Sequence, residues 1–278
     1  MSLLSRTLDW LRDTPMDASG IIHIGGKRFL LAEDETDVLR IFELDTSKRT
    51  LTATDQVLAF GEGESDFESL AYMPENDTYF CIGSHGEDAS ERLVSFRLHD
   101  GSAQELQELT FDARELVGKK VNVEALSSWR SKLLIGYRSP RDDNHALMKV
   151  FDTANGTQIV TRFDLSGRTF RDMVRVDSGN YLILAGPERG KDYDKLAPRI
   201  FWWNGELFAR RLVECNIDLH GYRAEGIATL LHSDGSLDIL IGSDESKTGD
   251  KFKMLYLGAK DLDQLLHDKL EPAELRIE

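Results

Sequence analysis

Residues 67–71 read Phe67-Glu68-Ser69-Leu70-Ala71, and the pattern of one polar residue opening an apolar run returns four more times. The other copies are Ala18-Ser19-Gly20-Ile21-Ile22, Val123-Glu124-Ala125-Leu126-Ser127, Phe170-Arg171-Asp172-Met173-Val174 and Ala224-Glu225-Gly226-Ile227-Ala228. Their second positions fall at 19, 68, 124, 171 and 225, so one module recurs about every 50 residues along the whole chain. Such a period marks a repeat architecture in which each module is one supersecondary unit.

Each module continues with a turn and a second apolar run: Arg28-Phe29-Leu30-Leu31-Ala32, Tyr79-Phe80-Cys81-Ile82-Gly83, Leu133-Leu134-Ile135-Gly136, Tyr181-Leu182-Ile183-Leu184-Ala185 and Ile239-Leu240-Ile241-Gly242. The turns hold Gly25-Gly26, Asn76-Asp77, Arg130-Ser131, Ser178-Gly179-Asn180 and Asp234-Gly235, mostly residues that accept positive φ and close hairpins. Third strands follow, such as 38–44, 93–98 and 147–151, and fourth strands such as 157–163. A four-stranded antiparallel unit of this length, repeated around a ring, predicts an all-β fold: a β-propeller of five blades with four antiparallel strands each, filling residues 1–278 as one domain with short terminal extensions. Six blades is the alternative, if residues 3–11 and 274–277 supply strands to an extra blade. The second strands are apolar throughout, as expected of sheets covered on both faces. Two stretches break the pattern: 112–120, read as an inserted helix or loop, and 260–270, whose Leu262, Leu265, Leu266 and Leu270 have helical spacing and are read as packing on the propeller.

The chain has 278 residues, 34 basic and 49 acidic side chains, and a formal charge of −15. With no basic cluster, that balance argues against nucleic acid or an anionic membrane as partner. No apolar run reaches the ~20 residues of a membrane span, and the first residues lack the layout of a secretory leader, so a cytoplasmic protein is expected. Cys81 and Cys215 both lie in apolar strands and are expected to be buried, unbridged thiols.

Because first and second strands form a hairpin, the start of one meets the end of the other at a single mouth of the channel. The first-strand starts bring Ser19, Glu68, Glu124, Arg171 and Glu225; the second-strand ends bring Asp34, His85, Arg138, Glu188 and Asp244. The functional reading assigns catalysis to His85, Arg171 and Arg138, and ligand binding to Glu68, Glu124, Glu225, Asp34, Asp244 and Glu188. Glu68, Glu124 and Glu225 would also hold a metal, calcium or another divalent cation, because carboxylates facing one channel gain from a shared cation. The arginines would fork an anionic group. The competing reading is structural, the glutamates capping backbone amides and the arginine neutralising them. The loops on this face carry fifteen acidic against seven basic side chains. No nucleophile elbow, phosphate loop or zinc spacing is present, and Ser84 and His85, being adjacent, would point to opposite faces of a strand.

Taken as a set, Phe29-Leu-Leu-Ala-Glu-Asp-Glu, Asp66-Phe-Glu-Ser-Leu-Ala with Ile82-Gly-Ser-His-Gly, Asn122-Val-Glu-Ala-Leu with Leu134-Ile-Gly-Tyr-Arg, Phe170-Arg-Asp-Met-Val with Leu182-Ile-Leu-Ala-Gly-Pro, and Ala224-Glu-Gly-Ile-Ala with Ser243-Asp-Glu resemble the bacterial family called domain of unknown function 3616, over about residues 16–257. That resemblance implies a propeller similar in strand pattern to phytase-like esterase propellers and implies no particular reaction. Two functions are therefore weighed: a hydrolase or lyase acting on a small anionic molecule at the channel mouth, and a non-enzymatic propeller binding a protein or metabolite on its acidic loop face.

Overall fold

A computed structural model describes residues 18–33, 38–60, 66–84, 92–109, 112, 121–189, 192–193, 195–208, 210–244 and 253–277. The strands fall into units of four. The first holds β1 (Ala18–His23), β2 (Arg28–Glu33), β3 (Val38–Asp45) and β4 (Thr50–Ala59); the second β5 (Asp66–Met73), β6 (Thr78–Ser84), β7 (Arg92–His99) and β8 (Ser102–Leu109). The third holds β9 (Asn122–Trp129), β10 (Lys132–Ser139), β11 (Ala146–Phe151) and β12 (Gln158–Phe163); the fourth β13 (Thr169–Arg175), β14 (Tyr181–Gly186), β15 (Arg199–Trp203) and β16 (Leu212–Glu214). The last holds β17 (Ala224–Leu231), β18 (Leu237–Ser243), β19 (Lys253–Ala259) and β20 (Ala273–Ile277).

Within each unit the four strands pair antiparallel in chain order, as the hairpin turns dictate. Gly25, Gly26, Asp77, Arg130 and Gly235 do take positive φ. The turn at 178–180 works differently: the Asp177 carboxylate accepts from the amides of Gly179 and Asn180 at 2.7 and 2.8 Å, so a side chain replaces the left-handed residue.

The inner strands touch in cyclic order, β1 on β5, β5 on β9, β9 on β13, β13 on β17 and β17 back on β1, which is the ring of a β-propeller. Residues 1–17, on which the six-blade alternative depends, lie outside the described residues, as do 113–120 of the expected insertion. The outer rim is joined where β20 runs parallel to β4, Arg276 opposite Thr50 and Ile277 opposite Leu51.

The second strands are buried through their middles, β14 at every position, whereas the rim strand β8 is mostly exposed. Cys81, Ile135, Leu182, Leu240 and Ile241 are all fully buried, and both cysteines are free thiols. Apolar clusters fill the spaces between neighbouring sheets, for example Leu182, Leu184 and Ile200 against Ile227, Ile239 and Ile241. The expected helix forms as α1 (Leu262–His267), capped by the Asp261 carboxylate on the Gln264 amide. Its Leu265 is buried, with Leu262, Leu266 and Leu270 packed on the same cluster, so its leucines face the propeller. Among the described residues no helix is long and apolar enough to cross a membrane.

Candidate functional site at the bulge ring

Each of β1, β5, β9, β13 and β17 skips one residue in its pairing with the strand that follows it, at the same place in the module. The ladder jumps from Ala18 to Gly20, Phe67 to Ser69, Val123 to Ala125, Phe170 to Asp172 and Ala224 to Gly226. The skipped residues are Ser19, Glu68, Glu124, Arg171 and Glu225, the polar residue of each sequence motif. A bulge frees a residue from the ladder and re-aims its side chain, which is how one strand holds a charged group inside a covered sheet.

Three of these groups, Glu124, Arg171 and Glu225, form one network with Arg138 and Tyr193, centred on Arg171, which is fully buried. Its Nη1 donates to Glu124 Oε2 at 3.2 Å and to Glu225 Oε2 at 3.0 Å, and its Nη2 to the Pro187 carbonyl. Arg138 Nη1 donates to the other Glu124 oxygen at 2.9 Å, and its Nε to the Glu188 carbonyl at 3.0 Å. Glu225 Oε1 accepts from the Tyr193 hydroxyl at 2.7 Å. Space for Arg171 depends on Gly186, where a Cβ would lie 2.9 Å from the guanidinium Nε.

Electrostatics follow from burial and pairing. Burial works against the Arg171 charge, but Glu225 and Glu124 outweigh it and hold the guanidinium firmly ionised. Burial is also the largest influence on Glu225 and pushes its carboxyl up; the Glu124 charge adds to this, while Arg171, Tyr193 and Arg138 oppose it. The Tyr193 hydroxyl is pushed far up by burial and by Glu225, so it stays a proton donor.

This geometry corrects the metal assignment. All four oxygens of Glu124 and Glu225 already accept from Arg138, Arg171 or Tyr193, so a guanidinium occupies the place where a shared cation would sit. Glu68 is half-buried at its own bulge, and among the described residues no group of three His, Cys, Asp or Glu side chains could hold a metal ion. Calcium or another divalent cation does not fit this donor set.

The structure thus brings together Arg171, Arg138, Glu124 and Glu225, with Glu188 adjoining through its carbonyl while its carboxylate pairs with Arg141 at 3.2 Å. Asp244 follows β18, its amide bonded to the Arg223 carbonyl at 2.9 Å. Asp34 and His85 lie outside the described residues.

Three participants escaped the sequence reading. Tyr193 sits in the loop between β14 and β15. Arg223 precedes β17, with its guanidinium 5.6 Å from the Tyr193 ring centre, on which Arg171 also stacks at 5.4 Å. Arg141 lies just beyond β10. Among the described residues, Arg223 makes no ion pair and Arg138 leaves Nη2 without a partner; the Arg138 charge acts on the Glu225 carboxyl, and Arg223 lies against the ring of Tyr193, whose hydroxyl donates to Glu225.

Neither a family model nor a curated protein matches the chain. Among solved structures, the N-terminal domain of Nup159 is similar with a TM-score of 0.40 and 12% identity, over 94% of this chain, which spans 65% of that one. A glucose dehydrogenase gives 0.45 and 12%, over 88% and 97% of the two chains. The Cellvibrio cellulosa alpha-L-arabinanase complexed with arabinohexaose gives 0.49 and 9%, over 93% and 99%.

Proposed function

We propose that the bulge-ring mouth binds a small anionic molecule and performs acid–base chemistry on it, as a hydrolase or a lyase. The observation that carries this reading is the state of Glu225: its side chain is one-fifth exposed, and its carboxyl is raised by burial and held between the Arg171 guanidinium and the Tyr193 hydroxyl. A reachable carboxyl tuned upward is the usual form of a general acid or base working near neutral pH.

The roles divide by exposure. Arg171 is sealed inside and serves as a positioning residue, fixing Glu124 and Glu225 relative to each other. Arg138, a quarter exposed, and Arg223 offer donors to the anionic group of the substrate. Glu225 takes a proton from the substrate or from an attacking water; the negative charge that develops lies against the two guanidiniums, and the proton then passes to the leaving group.

The test is a panel of small carboxylates and phosphate esters, screened by calorimetry and for turnover against wild type, Glu225→Gln and Arg138→Gln. Turnover that Glu225→Gln lowers by ~10²-fold or more with binding retained, and binding that Arg138→Gln weakens, is the expected result. Binding without turnover, unaffected by Glu225→Gln, favours the non-enzymatic alternative. A folded wild type that binds no member of the panel overturns the assignment.

A further inference from the structure

The channel is closed between its two ends. One residue beyond the bulges, Asp172 is fully buried, accepting from Ser69 Oγ at 2.6 Å, from its neighbour Met173 N at 2.8 Å and from Ile227 N at 2.8 Å, while Ser69 Oγ accepts from Leu126 N at 2.8 Å. These bonds tie β5, β9, β13 and β17 across the axis. The fifth inner strand presses in at Gly20, where a Cβ would stand 2.8 Å from the Ser69 backbone. The opposite mouth is therefore a separate compartment.

That compartment is a cavity of about 450 Å³ lined by the far ends of β1, β5, β9, β13 and β17, within the size range of small-molecule sites. On the side of β1 and β5 its walls are Ile22, His23, Leu70, Ala71 and Tyr72. On the side of β9, β13 and β17 they include Ser127, Arg175 and Thr229. Ser127 and Thr229 are buried residues that bring hydroxyls to the lining. Arg175 is held in place through Nε on the Asp177 carbonyl at 2.9 Å and through Nη1 on Glu75 at 3.1 Å and Ser128 Oγ at 3.4 Å, which leaves Nη2 unused. Two hydroxyls and one guanidinium nitrogen set among Ile22, Leu70, Ala71 and Met173 form an amphipathic pocket.

We propose that this second mouth is a binding site for a small monocarboxylate with an apolar body. The carboxylate lies on Arg175 Nη2 with Ser127, and Thr229 takes a further polar group; the hydrocarbon or aromatic body lies on Ile22, Leu70 and Met173. A ligand that accepts from this nitrogen while covering the apolar part of the lining gains from both contacts. One positive group set in an already paired site selects one negative charge rather than a phosphate ester or a dicarboxylate.

Calorimetric titration with octanoate and phenylacetate, and with octanol and octylamine as controls, tests it. Wild type should bind the two acids at least tenfold tighter than the alcohol and not bind the amine. Arg175→Met should weaken the acids at least tenfold and leave octanol within threefold; Ser127→Ala, which removes only a hydroxyl, should weaken them by a smaller factor, so the assignment stays testable if the arginine variant does not fold. Glu225→Gln should leave this binding unchanged, which separates the site from the bulge-ring mouth. Absence of acid binding to folded wild type, acid and alcohol binding alike, or loss of acid binding in Glu225→Gln overturns the proposal.

Discussion

The side chains of Ser69 and Asp172, 103 residues apart in the chain, meet at 2.6 Å in the middle of the propeller. Asp172 uses Oδ1 for Ser69 and Met173 and Oδ2 for Ile227, so both oxygens act as acceptors. Asp172→Asn keeps the shape but turns an amide NH₂ toward one of these donors. The variant should lose about 1–3 kcal/mol, the cost of an unsatisfied buried donor, read from urea denaturation. A variant as stable as wild type would contradict the tie.

The same residue gives the fold a pH dependence. Burial pushes the Asp172 carboxyl up to about 8 from 3.8, against the hydrogen bonds it accepts. A folded-state value above the unfolded one means that the native protein holds the extra proton in this window. Its contribution to stability is complete below about pH 4 and is lost as pH rises through about 8. Denaturation midpoints should therefore fall over this window in wild type, and the fall should be shallower in Asp172→Asn.

Arg171→Met removes the guanidinium between Glu124 and Glu225 and leaves two carboxylates facing each other with little water. Breaking a buried pair by deleting one partner costs about 3–5 kcal/mol. Adding Glu124→Gln and Glu225→Gln to the same chain should recover much of that loss, as judged by guanidinium melts. No recovery would mean that Arg171 acts through packing rather than charge.

Tyr193→Phe deletes the hydroxyl that donates to Glu225 Oε1. That bond favours the ionised carboxyl, so its loss should move the Glu225 titration upward, followed by carboxyl-carbon NMR. Any activity requiring ionised Glu225 should shift its acid limb in the same direction.

Gly186→Ala should destabilise by about 1–3 kcal/mol, because the new Cβ would press on an arginine clamped at both nitrogens and unable to yield. Stability equal to wild type would show that Arg171 has room to move.

The repeat was legible because each module states its strand pair twice over, in the apolar run and in the turn residues. Even the bulge was visible as a polar residue at the head of an apolar strand, though only the pairing shows that Glu68 and its equivalents stand outside the ladder. What one sequence could not convey is who partners whom. Three glutamates at like positions suggested a cation site; the structure shows that one of the five equivalents, Arg171, already plays that part for Glu124 and Glu225. Tyr193 and Arg223 went unread because they belong to no repeat, lying in connections whose path depends on the tertiary fold. The far cavity was invisible for a similar reason: Ser127, Arg175 and Thr229 come from three strands and are individually unremarkable.

The repeated bulge separates two burdens that most β-strands must carry at the same residue. Positions 19, 68, 124, 171 and 225 contribute no rung to the pairing of inner and second strands, so exchanging their side chains leaves that backbone ladder whole. They act as five sockets in a common mount, with serine in one, arginine in another and glutamate in three. Replacing the Ser19 occupant offers a way to give this mouth a new chemistry without rebuilding the sheets that support it.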